Sequence, residues 1–141
     1  MYKTILLAYD GSQDGLEALR QGADLARLCR ARVHLCAVAG QALDIALSAA
    51  DLPEREYDDI RRSLEEGARS LRESGLEVDV RLDVGNPPEK IGSMAREVQA
   101  DLIVVGHRTQ SALLRWWNGS TGAFLLTHAP CSLLVAIAQH A

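Results

Sequence analysis

Aromatic side chains are scarce in this chain, which has two tryptophans, three tyrosines and one phenylalanine among 141 residues. Excess positive charge is missing as well: 15 Lys and Arg stand against 19 Asp and Glu, for a formal net charge of -4 and a pI near 5.5. A surface built to neutralise nucleic-acid or membrane phosphates needs the opposite balance, so neither partner is a first reading. No apolar run approaches the roughly 18 residues of a membrane helix. The start, Met1-Tyr2-Lys3-Thr4, carries no basic stretch, long apolar core or small-residue cleavage pattern, and the expectation is a cytoplasmic protein. Cysteine is limited to Cys29, Cys36 and Cys131, an odd number without CxxC spacing. That argues against a disulfide framework and for buried, reduced thiols. His34 and Cys36 would share a strand face, but two ligands do not make a zinc site.

What is present is ordinary for one globular domain spanning residues 1–141: 48% apolar and 24% charged residues. Ile5-Leu6-Leu7-Ala8 is a continuous apolar run closed by Asp10-Gly11-Ser12, which predicts a strand buried on both faces, hence a parallel sheet. Ser12 then caps a helix whose inner positions are Leu16, Leu19, Ala23 and Ala26, with Arg27, Arg30 and Arg32 gathered at its end. Val33 to Val38 reads as the second strand, and the stretch from Gln41 to Ala50, without a strong period, as a loop. Asp51-Leu52-Pro53-Glu54 opens a second helix with Tyr57, Ile60, Leu64, Ala68 and Leu71 on one face, and Gly75 stops it. Leu76 to Val84 alternates like a half-buried strand. Gly85 to Glu89 starts a helix carrying Ile91, Met94, Ala95 and Val98 inward, and Leu102 to Val105 is the fourth strand. A last helix from about Ser120 to Thr127 and a fifth strand from Cys131 to Ala138 complete the series, with no internal repeat or low-complexity linker.

Alternation of this kind gives an open, mostly parallel sheet with helices on both faces. In a doubly wound order the first and fourth strands are neighbours, so Asp10 and Gly106 emerge at one carboxyl edge, where ligands bind. Gly106-His107-Arg108-Thr109 follows straight after the fourth strand, and after nine intervening residues Gly119-Ser120 opens the next apolar-periodic segment. Glycine and Gly-Ser so placed let backbone N–H groups close round a phosphate. Taken singly, Gly106 is as well explained as a strand-end turn, Gly119-Ser120 as a helix cap, Asp10 as a turn residue and Arg108 as a solvated charge. Their joint spacing favours a nucleotide.

Four separated segments resemble the universal stress protein family: Ile5 to Ser12, Gly85 to Ile91, Asp101 to Gly106 and His128 to Val135. The resemblance runs from end to end. It implies a three-layer, doubly wound α/β fold of the adenine nucleotide alpha hydrolase-like type, strand order 3-2-1-4-5, commonly dimeric. One branch binds ATP through Gly-x-x-Gly, nine residues, then Gly-Ser or Gly-Thr. Position by position it places Gly106, Thr109, Gly119 and Ser120 on that motif, with Arg108 and Thr121 beside it, Ala8 and Asp10 near base and ribose, and Val38 against the adenine. Thr109 departs from the pattern, because a β-branched residue restricts the backbone where glycine would be free.

No catalytic centre accompanies these residues. His107 and His128 lack a nucleophile at a fixed motif spacing, and neither Gly-x-Ser-x-Gly nor a Walker-type Lys-Ser follows the glycines. Trp116 and Trp117 fall inside the spacer, either packing the loop or covering a ligand or subunit contact. With Arg108 and Arg115 they suggest base stacking, against which the acidic whole argues. The reading is a regulatory module binding ATP, ADP or AMP, with or without magnesium, and at most slow phosphate release. Its rival is a dimeric interaction protein that does not retain nucleotide; a small hydrolase of the same class ranks third. An apolar C-terminal edge strand invites pairing across a two-fold axis, which makes a homodimer the expected assembly.

Overall fold

A computed structural model describes residues 1–9, 13–39, 52–85, 87–107 and 127–137. Eight elements alternate along them: β1 (Thr4–Ala8), α1 (Gln13–Cys29), β2 (Arg32–Ala39), α2 (Leu52–Glu73), β3 (Val78–Val84), α3 (Pro87–Val98), β4 (Leu102–His107) and β5 (Ser132–Ile137). The five strands form one sheet in the order β3-β2-β1-β4-β5, every pair parallel.

Parallel strands need crossovers, and here the crossovers cover both faces of the sheet. Ile5 and Leu7 of β1, Val33 and Leu35 of β2, and Leu102 and Val104 of β4 point to one side. There they meet Leu19, Ala23 and Ala26 of α1 and Leu64, Ala68 and Leu71 of α2. Leu6, Cys36, Ile103 and Val105 point to the other side, against Ile91, Met94 and Ala95 of α3. The three layers follow from the period of two along apolar strands and the 3.6-residue stripe of each helix. α1 crosses the sheet centre so closely that a Cβ on Gly22 would lie 2.5 Å from Leu7 Cδ2 and 3.3 Å from Val104 Cγ1. A methyl group there overpacks the core, at a cost of about 1–3 kcal/mol.

The helix-to-strand turns share one construction. Arg30, Gly75 and Gln99 each take a left-handed conformation, with φ of 54°, 99° and 57°. Each donates its N–H three residues back, to the carbonyls of Arg27, Arg72 and Arg96. The residue after each, Ala31, Leu76 or Ala100, donates five residues back, to Ala26, Leu71 or Ala95. These are three Schellman caps, each with an apolar residue folding back on the helix. Leu76 is therefore buried as a cap residue, and β3 begins two residues later than its alternation suggests, at Val78. The arginine of each motif ties its helix end to another segment. Arg72 donates through Nε and Nη2 to the Val78 carbonyl at 3.1 and 2.7 Å. Arg96 Nη2 donates to the His128 carbonyl at 3.1 Å, and Arg27 Nη1 to Ser74 Oγ at 3.0 Å.

At the amino edge of the sheet Asp101 ties β1 to β4. Its carboxylate accepts the N–H groups of Lys3 at 2.9 Å and Thr4 at 3.2 Å, while its own N–H donates to the Thr4 carbonyl at 3.0 Å.

Sequence and structure differ at other boundaries too. β4 runs on through Gly106 and His107, which pair with Ala136 and Ile137. β5 begins at Ser132, one residue after Cys131. Thr127 and His128 are helical; the rest of the expected last helix, and the 41–50 stretch, lie outside the described residues.

Candidate functional site

β1 and β4 are adjacent, with Ile5 to Ala8 in register with Leu102 to Val105. From β1 the chain order runs one way, to β2 and β3, and from β4 the other way, to β5. This is the switch point of a doubly wound sheet, where diverging crossovers leave a crevice beyond the carboxyl ends. Ala8 ends β1, half-buried on the α3 side beside Cys36 and Val105. Val38, also half-buried on that side, stands near the end of β2. Gly106 lies within β4, backbone-paired with Ala136, and is not the strand-end turn that the apolar run alone suggests. The structure thus brings Ala8, Val38 and Gly106 to one edge. Asp10, Arg108, Thr109, Gly119, Ser120 and Thr121, and with them Trp116 and Trp117, lie outside the described residues.

Below that edge sits a polar strip that composition does not single out. His34, Cys36 and Val38 of β2 face the α3 side, in register with Asp79, Arg81 and Asp83 of β3. The His34 side chain is only 13% exposed, and its Nδ1 has no hydrogen-bond partner although Asp79 Oδ2 lies 3.9 Å away. Arg32 Nη2 holds that same oxygen at 2.8 Å. Burial lowers the pKa of His34 below its ordinary value; Asp79 opposes the shift, and Arg32 and Arg81 reinforce it. Cys36 is fully enclosed, and burial pushes its thiol up to about 12 against a small opposing effect of Arg81. Cys131 is raised as well, by burial and then by the Asp101 charge. All three cysteines are free; Cys36 is buried as expected, whereas Cys29 and Cys131 are only partly so. Among the described residues no three His, Cys, Asp or Glu side chains converge as metal ligands, and no helix is long and apolar enough to cross a membrane.

Residues 1–136 match the universal stress protein family. The chain belongs to that family. A putative universal stress protein of Staphylococcus saprophyticus is 30% identical over 141 aligned residues, 95% of this chain and 83% of that protein. Among solved structures, a universal stress protein in complex with cAMP superposes with a TM-score of 0.74 at 24% identity, covering 98% of this chain and 99% of that one. The universal stress protein from Archaeoglobus fulgidus in complex with dAMP gives a TM-score of 0.68 at 25% identity, with 95% and 97% covered. The sheet order 3-2-1-4-5 and these neighbours establish the adenine nucleotide alpha hydrolase-like fold of universal stress proteins for this chain.

Proposed function

We propose that this universal stress protein binds an adenine nucleotide, ATP, ADP or AMP, at the β1/β4 switch point, as a cytoplasmic regulatory module. The observation that carries the reading is the convergence of Ala8, Val38 and Gly106 on one carboxyl edge. Ala8 and Val38 are half-buried on the same face of the sheet, and the apolar surface of Val38 suits the face of a base. The relative that holds dAMP supports the same ligand class. In the proposed site Gly106, Thr109, Gly119, Ser120 and Thr121 surround the phosphates, Arg108 adds a positive charge, and Asp10 accepts from ribose hydroxyls or holds magnesium through water. Calorimetry with the three nucleotides, with and without magnesium, tests this directly. Saturable heat is expected, and no heat at millimolar ligand overturns the reading.

A second reading, a dimeric interaction protein that does not retain nucleotide, is favoured by Thr109 in the motif and by β5. That strand has a described neighbour on one side only, β4, and carries a Leu134 that is 38% exposed. The proposed dimer pairs β5 with its symmetry mate and belongs to both readings.

A further inference from the structure

α3 packs chiefly on β2 and leaves a groove of about 420 Å³ between itself and β3. Its polar walls are Arg81 and Asp83 of β3 and Lys90, Ser93 and Glu97 of α3, with the buried Met94 among the lining residues. β3 runs toward the carboxyl edge and α3 runs back from it, so two ion pairs cross the groove at different heights. Arg81 pairs with Glu97 near the end of α3, far from the edge. Lys90 Nζ lies 3.7 Å from Asp83 Oδ2 in the first turns of α3, at the edge itself.

The upper pair is held in place. Asp83 Oδ1 accepts the Val84 N–H at 2.8 Å, so the carboxylate is fixed while Oδ2 faces Lys90. The Lys90 stem lies against Gly85, where a Cβ would come within 2.9 Å of Lys90 Cε and where φ of +145° disfavours any other residue. Asp83 is the register partner of Val38 and projects from the same face, one strand spacing of about 4.8 Å away.

We propose that Asp83 and Lys90 read the polar edge of the base lying on Val38, and so set which purine the site accepts. The inference rests on the nucleotide reading above. A carboxylate only accepts hydrogen bonds and an ammonium only donates them. Adenine offers an amine donor beside a ring-nitrogen acceptor, which matches the pair. Hypoxanthine replaces that amine with a carbonyl and so turns an oxygen toward the Asp83 carboxylate. A site built to bond a donor rejects the analogue that lacks it, more weakly where the groups are half-exposed, as these are at 48% and 40%.

The test is calorimetric titration of the full chain with AMP and with inosine 5′-monophosphate. The parent is expected to prefer AMP by roughly tenfold or more. Asp83→Asn, whose amide can turn either atom to the base, should bring the two affinities within about threefold of each other. Lys90→Met keeps the stem, loses the donor and should weaken AMP by roughly three- to tenfold. Arg81→Gln, at the far pair, should leave the AMP preference unchanged, and thermal melts check that each variant folds. A parent that binds AMP and inosine monophosphate equally, or an AMP preference that survives Asp83→Asn, overturns this assignment and leaves nucleotide binding standing. A parent that binds neither overturns both.

Discussion

A threonine in place of the second glycine of the motif sets two effects against each other. If the loop from Gly106 to Gly119 wraps a phosphate, relieving β-branched crowding by Thr109→Gly is worth about 1 kcal/mol, while the freedom of glycine costs roughly 0.5–1 kcal/mol on ordering. A modest net tightening of ATP binding is expected by calorimetry. Gly119→Val fills the space where the phosphate would rest and should abolish binding with circular dichroism unchanged. Undiminished binding by Gly119→Val would move the phosphate away from this loop. Binding by Thr109→Gly alone would favour the reading in which nucleotide is not retained.

His34 gives the protein a pH response at the same scale. Its folded pKa is lowered, so between its ordinary value of 6.5 and the folded value the unfolded chain holds the extra proton. Stability is then complete above about pH 6.5 and falls as pH drops through the unfolded pKa, levelling off only below the folded one. Urea midpoints at pH 7.5 and 5.5 should differ for the parent, and the His34 part of that difference should vanish in His34→Gln. An identical pH dependence in both proteins would show that burial of this ring costs nothing. The sequence displays His34 and Cys36 as two residues on one strand face, but not that Arg32 has taken the Asp79 oxygen nearest the ring. That competition depends on strand register, which no local pattern encodes.

Among the elements, the three Schellman caps carry a measurable asymmetry. Gly75 adopts its left-handed conformation without a side-chain penalty, whereas Arg30 and Gln99 adopt theirs at the expense of Cβ crowding. Arg30→Gly and Gln99→Gly should each stabilise the protein by about 0.5–1 kcal/mol in urea unfolding, and Gly75→Ala should destabilise it by about 1 kcal/mol. The reverse order would mean that the arginine and glutamine side chains make contacts worth more than the strain. These caps also mark how far the sequence can be read. Gly75 announces the end of α2, but Arg30 and Gln99 look like unremarkable helix-end residues. The repeated spacing of an apolar residue, an arginine, two further residues, the left-handed position and an apolar residue becomes visible only once the hydrogen bonds are known. The strand cores at Ile5 to Leu7 and Leu102 to Val105 are legible because burial on both faces demands unbroken apolar runs. The extension of β4 through Gly106 is not, since backbone pairing requires no particular side chain. Asp83 escapes a reading of the sequence because alternating charges on a strand look like a solvated face, and Lys90 because a lone lysine in the first turns of a helix does too.

For the whole molecule, the decisive question is what covers the edge of β5 away from β4, which has no strand neighbour among the described residues. Successive N–H groups of a strand point to opposite sides, so of Leu134 and Val135 one donates toward β4 and the other toward that edge. Replacing each in turn by proline should separate two functions of the strand. One variant should lose stability through the broken ladder, and the other should remain folded and run as a monomer. Light scattering at roughly tens of micromolar suits an interface of standard size. A parent that is monomeric under these conditions rules out the edge-paired dimer.

The clasp between Asp101 and the start of β1 joins residues 98 positions apart, and that separation sets a schedule. During synthesis β1 acquires β2 as a neighbour early, but its other side stays bare until β4 has been made. At about 5–20 residues per second, the hundred or so residues between take roughly 5–20 s. For that interval a strand apolar on both faces, Ile5 to Ala8, is present with one flank unprotected, and no rearrangement of the early residues can shorten the wait. Growth slow enough to lengthen it, or crowding by other nascent chains, makes this strand the place where the protein is most open to mispairing.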